Sequence, residues 1–276
     1  MELGIFSRTY EYSDPEKSFS AMASHGLFRT QLNLSNGGMQ TLPREIDGEK
    51  LDALEKALQR HGIVCDALSG TFNMIDPDEA AREEGIVQFE TQCRIASLLN
   101  IPIVTLCTGS KNTKSKWLWH EDNLKESSWT ELMHCTERLL GFADRFGVTL
   151  GVETECSNIV NTARRARLYL DSFKSPRLKI IMDGANLLNG ENVSRQREVM
   201  DEAFELLGRD IVLAHAKDMR PAEGKELEFV AVGKGSLDFE YYMGLLRAAG
   251  YGGSLIMHGL SKAEVPESRR FLEGLI

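Results

Sequence analysis

Short apolar runs alternate along the chain with longer segments whose apolar residues recur every three or four positions. The short runs are rich in β-branched residues and predict strands, while the longer periodicity predicts helices with one buried face. Leu51, Leu54 and Leu58 form one such helical stripe, and Met243 and Leu246 belong to another. The predicted strands span residues 3–7, 28–34, 64–69, 103–107, 149–153, 179–183, 211–215 and 254–258. Strands that alternate with helices indicate a parallel sheet with right-handed crossovers.

The number and spacing of these units favour one closed barrel. Eight strand–helix units in 276 residues match the roughly 250 residues typical of a (β/α)₈ barrel. Length alone also allows two doubly wound halves, but no Pro/Ser-rich linker divides the chain. Gly62, Gly147 and Gly250 stand where predicted helices give way to strands, as left-handed helix caps do. We therefore predict an α/β protein with a single (β/α)₈ TIM barrel domain over residues 1–276.

Composition and charge exclude several classes of partner. The formal net charge is −9 and the basic residues are scattered, which argues against nucleic acid as the main partner. No apolar stretch approaches the roughly 18 residues of a membrane span, and the first residues lack a signal-peptide pattern. The five cysteines are odd in number and none is spaced CxxC, so no disulfide framework or cysteine zinc site is expected. Reduced, buried cysteines are typical of a cytoplasmic protein.

The longest predicted connection, residues 108–123, is rich in aromatic and basic side chains. It contains Trp117, Trp119, His120 and three lysines. Loops of this length are usually functional or disordered. The composition favours a ligand lid, and a plain surface loop is the alternative.

The polar residues that end the predicted strands are unevenly distributed around the barrel. Active sites of such barrels lie at the C-terminal ends of the strands. The first four strands end in weak hydrogen-bonding groups, whereas the last four end in Glu153, Asp183, His215 and His258. Taken singly, a strand-end aspartate is more often a helix cap or an ion-pair partner, and a lone histidine is more often structural. Together, on neighbouring strands, they predict a shared divalent-metal site, because adjacent carboxylates repel unless a cation or proton lies between them.

At these residues the sequence resembles the xylose-isomerase-like TIM barrel superfamily. Sugar isomerases, sugar epimerases, inosose dehydratases and endonuclease-IV-like enzymes belong to that group. The resemblance runs through GIFSRT, SGTFNMIDPDEAAREE, GVETECSNIV, MDGANLL and HAKD, and is strongest within the sugar phosphate isomerase/epimerase branch. HxKD after the seventh strand and DxxN after the sixth are its most specific pieces.

The resemblance implies a divalent ion, most often manganese, held by Glu153, Asp183 and His215. The fourth ligand of the family is a glutamate, and His258 stands in its place. Two carboxylates with two imidazoles form a softer set, which favours manganese, zinc, cobalt or iron over magnesium. Family epimerases use the glutamates of the fifth and eighth strands as opposed acid and base, so only Glu153 remains here. His258 is accordingly a metal ligand, the second catalytic base or a structural residue.

Other polar residues near the strand ends complete the expected site. Lys217 is a candidate catalytic cation that stabilises a developing oxyanion, with a surface ion pair as the alternative. The candidates for substrate binding are Ser69, Asn73, His120, Glu155, Asn158, Asn186 and Asp218.

The resemblance implies a metal-dependent isomerase or epimerase that acts on a small sugar or polyol derivative. Proton transfer would take place beside a metal-chelated carbonyl. The alternatives are a lyase or dehydratase acting on a cyclitol or keto-sugar, a non-catalytic sugar-binding barrel, and an endonuclease-IV-like phosphodiesterase. Barrels of this kind are commonly homodimers or tetramers.

Overall fold

The strands form one closed parallel barrel and one small antiparallel hairpin, in a computed structural model that describes residues 1–222 and 226–276. The hairpin strands are β8 (Asp218–Pro221) and β9 (Leu227–Val230). The barrel strands are β1 (Glu2–Phe6), β2 (Arg29–Leu32), β3 (Val64–Ser69), β4 (Ile103–Leu106), β5 (Thr149–Glu153), β6 (Leu178–Asp183), β7 (Ile211–Ala216) and β10 (Ser254–Met257). They follow one another around the ring in chain order, and β10 pairs with β1 to close it. The predicted (β/α)₈ barrel is confirmed.

The helices have the start and stop signals that their sequences contain. They are α1 (Pro15–Ser24), α2 (Gly48–His61), α3 (Glu79–Leu98), α4 (Glu126–Phe146), α5 (Ala163–Phe173), α6 (Gln196–Leu207), α7 (Phe239–Ala248) and α8 (Val265–Glu273). The Asp47 side chain caps α2 by accepting a hydrogen bond from the N–H of Lys50 at 3.2 Å. Gly62, Gly147 and Gly250 have φ of 65°, 72° and 74°, so the predicted left-handed caps are confirmed.

The predicted strand boundaries are close to the observed ones, and the largest difference lies at β2. Its predicted range, 28–34, is three residues longer than the observed Arg29–Leu32. Asn33 ends the strand because its side chain accepts a hydrogen bond from the N–H of Ser35 at 3.0 Å and begins a short 3₁₀ turn. The hairpin of β8 and β9 was not predicted, because each strand is only four residues long and too short to show a clear alternation.

Alternate strand residues face the helices and the barrel interior. On β6, Ile180 and Met182 belong to the large core shared with the helices, while Ile181 belongs to a separate cluster. That inner cluster comprises Ala67, Ile103, Ile181, Leu213 and Ile256. It fills the barrel floor, as layered side chains do in this fold. Residues two positions later on the same strands therefore lie above it, toward the mouth.

Two further expectations from composition concern the helices and the cysteines. In the described ranges, every helix is too short or too polar to cross a membrane. All five cysteines are unpaired, in agreement with the absence of a CxxC spacing.

Candidate active site

A ring of eight side chains lies above the inner apolar cluster, at the C-terminal ends of the barrel strands. Most of its members stand two positions after a residue of the layer below and therefore point the same way. The ring consists of Phe6, Gln31, Ser69, Thr105, Glu153, Asp183, His215 and His258. Six of these residues line a cavity of about 330 Å³. Asp183 and His215 lie beneath its wall, each 2% exposed.

Three of the predicted metal ligands converge at the base of this cavity. One ligand atom each of Glu153, Asp183 and His215 lies within 4.8 Å of the other two. The Nδ1 atom of His215 is 3.0 Å from Glu153 Oε1 and 3.8 Å from Asp183 Oδ2. Two carboxylate oxygens and an imidazole nitrogen at this spacing suit one divalent ion of the manganese-to-zinc series.

The Asp183 carboxylate supports this assignment because one of its oxygens accepts no hydrogen bond in the described chain. Its Oδ1 accepts hydrogen bonds from the N–H groups of Ala185 and Asn186 at 2.9 and 3.3 Å. Its Oδ2 is buried and accepts no hydrogen bond within the described chain. Burial, reinforced by the charge of Glu153, raises the pKa of Asp183. A bound cation would satisfy the orphaned oxygen, so the residues present fit a divalent metal.

Glu153 and His215 shift one another's pKa in favour of their charged forms. Burial opposes the charge on Glu153, but His215, and then Lys217, lower the pKa of this carboxyl below its usual range. Burial likewise opposes protonation of His215, while Glu153 raises the pKa of the imidazole. The site therefore keeps Glu153 ionised in the absence of metal.

Gln31 orients the His215 ring from the far side of the barrel. The Nε2 atom of His215 lies 2.8 Å from Gln31 Oε1. Because an amide oxygen only accepts hydrogen bonds, Nε2 carries the proton and Nδ1 faces the carboxylates. Such outer contacts set the tautomer of metal-binding histidines.

Replacing Gln31 by Leu should weaken divalent-metal binding about 10–100-fold, because the His215 tautomer is no longer held. Isothermal titration with Mn²⁺ measures the change. Thr105→Val is the matched control, since Thr105 lies in the same ring without contacting His215. An unchanged affinity in Gln31→Leu would show that the ring is oriented by packing alone.

His258 lies beside the three converging residues rather than among them. Its ring stacks on Phe6, with centroids 4.6 Å apart and planes 8° apart, and its centroid is 5.4 Å from that of His215. Burial, and then the charge of His215, lower the pKa of His258 to about 3. The imidazole is therefore neutral at physiological pH. Its Nδ1 is buried without a hydrogen-bond partner in the described chain.

Asn186 connects Lys217 to Glu153, one of the three candidate metal ligands. The Lys217 ammonium donates a hydrogen bond to Asn186 Oδ1 at 2.7 Å, and Asn186 Nδ2 donates to Glu153 Oε1 at 2.8 Å. The ammonium also lies 3.7 Å from the ring centroid of Phe229, which the β8–β9 hairpin supplies. Asn186 thus links a cation to the carboxylate that faces the cavity.

The rest of the cavity wall is mostly polar. Glu155, which follows β5, lies on this wall, and its carboxylate accepts a hydrogen bond from Ser157 Oγ at 3.2 Å. Burial raises the pKa of Glu155. Of the predicted substrate-binding residues, Ser69, Glu155 and Asn186 line the cavity. The other wall residues are Phe6, Arg8, Gln31, Asn33, Thr41, Thr71, Thr105, Lys116, Trp117, Glu153, Lys217 and His258.

Three other predicted substrate contacts hold the 108–123 loop in place. Asn158 Oδ1 accepts from the N–H of Gly109 at 2.8 Å, and its Nδ2 donates to the carbonyl of Lys116 at 2.9 Å. Asn73 donates to the Ser110 carbonyl at 2.8 Å and accepts from the Ser110 N–H at 3.0 Å. His120 Nδ1 accepts from the N–H of Asp122 at 3.1 Å. The loop reaches the cavity through Lys116 and Trp117.

Asp218 joins the end of β7 to the segment that follows the hairpin. Its carboxylate accepts hydrogen bonds from the N–H groups of Met219, Gly233, Gly235 and Leu237 at 2.8, 2.9, 2.8 and 3.2 Å. The side chain is buried. These contacts occupy both oxygens, so the structure gives Asp218 a scaffold contact in place of the predicted substrate contact.

An Asp218→Ala variant should lower the free energy of unfolding by about 3 kcal/mol or more, because it leaves buried N–H groups without an acceptor. Metal affinity should change less than threefold. Chemical denaturation and Mn²⁺ titration together test this. A variant of wild-type stability that has lost substrate binding would restore the predicted role.

Apart from Ser69, sequence reasoning did not assign the cavity residues of the first four strands to the site. Gln31 and Phe6 contact the histidines, and Arg8 and Lys116 line the cavity. Counting two residues on from each inward-facing apolar residue would have found Thr105. Gln31 and Phe6 follow Arg29 and Gly4, which do not look like core residues.

Comparisons with known proteins agree with this fold. The family model described as xylose isomerase-like TIM barrel matches residues 30–275. A search of curated proteins found no match. At 14–18% identity, the likeness to the solved structures is one of fold.

Three similar solved structures illustrate that likeness. A xylose isomerase domain protein from Planctomyces limnophilus is 18% identical, and the match covers 99% of this chain and 95% of that protein, with a TM-score of 0.77. The 3-keto-D-glucoside 4-epimerase of E. coli is 17% identical over 100% and 98% of the two chains, with a TM-score of 0.74. The IolI protein, solved with a bound zinc atom, is 18% identical over 100% and 98%, with a TM-score of 0.76.

Proposed function

Because the chain belongs to the xylose isomerase-like TIM barrel family, we propose that it is a divalent-metal-dependent isomerase or epimerase of a small sugar or polyol derivative. The observation that carries the proposal is the convergence of Glu153, Asp183 and His215 at the base of a polar cavity. A sugar epimerase and a zinc-bound protein among the similar structures support it.

Glu153, Asp183 and His215 would hold the ion. When bound, it would polarise a substrate carbonyl and acidify the neighbouring C–H group. Of the two carboxylates, Glu153 lines the cavity and Asp183 does not. The lowered pKa of Glu153 keeps it ionised. One of its oxygens would accept the proton, while the Lys217 ammonium would stabilise negative charge that develops on a substrate oxygen.

His258 is proposed as the fourth ligand, because its neutral ring keeps an unpaired Nδ1 beside the cluster. A His258→Ala variant should bind Mn²⁺ at least about tenfold more weakly. Phe6→Leu removes the stacking partner and serves as the control for packing. Unchanged metal affinity together with lost turnover in His258→Ala would instead make it the second base, and no change in either would make it structural.

A lyase or dehydratase acting on a cyclitol or keto-sugar is the second candidate. It shares the first proton abstraction but also needs an acid for the leaving hydroxyl. Glu155 suits that role, because it lines the same cavity and burial raises its pKa, so that its protonated form is favoured. Phosphodiester hydrolysis is less well supported, since the described ranges contain one group of three metal-capable side chains rather than a larger cluster.

The test is incubation of Mn²⁺-loaded protein in D₂O with panels of ketoses, aldoses, keto-glucosides and inososes, followed by NMR. We expect a new isomer that has taken up solvent deuterium beside the carbonyl, with activity lost on chelation and restored by metal. Loss of water from the substrate would select the lyase. Stoichiometric metal and sugar binding without exchange or turnover would indicate a non-catalytic barrel, and two or three metals per chain would indicate a phosphodiesterase.

The assembly and location remain predictions. A homodimer or tetramer is expected from the fold class, and light scattering on the purified protein measures it. A cytoplasmic location is expected from the reduced cysteines.

A further inference from the structure

Three cations line the cavity without an ion-pair partner in the described chain. They are Arg8, Lys116 and Lys217. Ion pairs are otherwise common on this molecule, and even within the 108–123 loop Lys111 pairs with Glu131. Exposed lysines such as Lys56 and Lys114 also lack an ion pair in the described chain, but Lys116 lacks one at a half-buried position in the cavity wall.

Lys116 is held firmly among these three cations. Its ammonium donates a hydrogen bond to the Thr71 carbonyl at 2.7 Å, and its own carbonyl accepts from Asn158 Nδ2 at 2.9 Å. The ammonium lies 5.2 Å from the ring centroid of Trp117. Thr71 O is thus a neutral partner, and two of the three ammonium donors have no protein acceptor in the described chain.

Desolvation makes this arrangement costly for an isolated cation. The side chain is half-buried, and its burial lowers the pKa of Lys116. Lys114, two residues earlier in the same loop, is exposed and does not line the cavity. A buried positive charge without a carboxylate is stabilised when an anion arrives beside it.

The charges of the cavity divide between its two halves. On the side of β5, β6 and β7, a divalent ion would balance Glu153 and Asp183, while the charge of Lys217 partly offsets the rise that burial causes in the pKa of Glu155. On the side of β1 to β4, Arg8 follows β1 and Lys116 lies in the loop after β4. The other polar wall residues on that side are neutral: Gln31, Asn33, Thr41, Ser69, Thr71 and Thr105.

We propose that this half of the cavity binds an anionic group of the substrate, a carboxylate or a phosphate, at the end remote from the metal ligands. Lys116 and Arg8 supply the charge, and neighbouring hydroxyl and amide groups supply further donors. That the bound molecule is a sugar derivative rests on the proposed function. The substrate would then be an anionic polyol.

The experiment uses ligands without an aldehyde or ketone group, so that binding is measured without turnover. Xylitol, xylitol 5-phosphate and xylonate share one carbon chain and differ in the terminal group. Their affinities for the Mn²⁺-loaded protein are measured by isothermal titration. We expect the better anion to bind about 10–100-fold more tightly than xylitol, as a charged hydrogen bond implies. The order of phosphate and carboxylate identifies the source of the charge.

Variants separate this subsite from the metal site. Lys116→Met should reduce the ratio of anion affinity to xylitol affinity to about one. Lys116→Arg should retain most of the preference, and Lys114→Met, the matched control in the same loop, should retain all of it. Thermal unfolding checks that each variant is folded, and Lys116→Arg provides a second test if Lys116→Met is not.

Equal affinity of wild-type protein for all three ligands would overturn the proposal. So would a Lys116→Met variant whose anion preference is intact, because the anion would then bind at the metal. Anion preference without isomer formation would leave the subsite standing and refute the isomerase, whereas turnover of neutral sugars without anion preference would do the opposite.

Discussion

Replacing Asp183 by Asn should abolish divalent-metal binding while the metal-free protein remains folded and loses no stability. Asparagine keeps an Oδ1 acceptor for the N–H groups of Ala185 and Asn186. Its amide nitrogen replaces the buried, unpaired Oδ2 and removes one of two repelling carboxylates. We expect Mn²⁺ affinity to fall at least about 100-fold, more than the loss of an outer contact causes.

Thermal unfolding with and without metal gives an independent readout. Wild-type protein should gain about 2.7 kcal/mol when free metal is 100 times Kd, which is a rise in Tm of about 5–10 °C. At the same metal concentration Asp183→Asn should gain at most about 0.4 kcal/mol. Asp76→Asn is the matched control, because Asp76 also accepts the N–H two residues ahead, at 3.0 Å, but lies away from the cluster. Wild-type metal binding by Asp183→Asn would refute the site.

Replacing Glu153 by Gln should slow exchange of the substrate's carbon-bound proton with solvent about 10²–10⁴-fold, the usual contribution of a general base. The amide oxygen of glutamine retains the hydrogen bond from Asn186, made at 2.8 Å in the wild type, but it does not accept the proton. Deuterium incorporation is followed by NMR at saturating Mn²⁺, so that a weaker metal site does not imitate a lost base.

Glu155→Gln is the matched control for Glu153→Gln. It removes a carboxylate from the same wall, two residues along the chain, without touching the metal cluster. We expect proton exchange to fall less than about tenfold in this variant. Unimpaired exchange in Glu153→Gln would exclude it as the base. Unimpaired exchange in Glu155→Gln, combined with loss of a dehydrated product, would support the lyase.

At the end of the eighth barrel strand this chain has His258, where the family that the sequence resembles has a glutamate. A glutamate at position 258 would add a third carboxylate above a floor of buried apolar residues. His258 is neutral and stacked on Phe6, so it adds no charge to the metal-free site. The negative charge at the barrel mouth therefore lies on β5, β6 and the loop after β5. Arg8 and Lys116, which have no ion-pair partner in the described chain, lie opposite.

Local sequence patterns were sufficient to predict the barrel and the convergence of three candidate metal ligands. Strand and helix periodicities arise from neighbouring residues on one element, and they are legible without knowledge of the rest of the chain. Because parallel strands present their C-terminal ends at one face, the strand-end positions of Glu153, Asp183 and His215 predicted their convergence. The structure brings their ligand atoms within 4.8 Å.

Only the tertiary structure decided which distant groups complete the site and which polar residues serve the scaffold. Gln31 meets His215 across 184 residues of sequence because the ring closes, and no local pattern encodes that distance. Asp218 and Asn158 look like site residues beside their strands, yet their polar atoms are taken by backbone groups of loops whose paths depend on long-range packing. Periodicity specifies the direction of a side chain on its own element. The partner it meets there depends on closure of the barrel and on the loops above it.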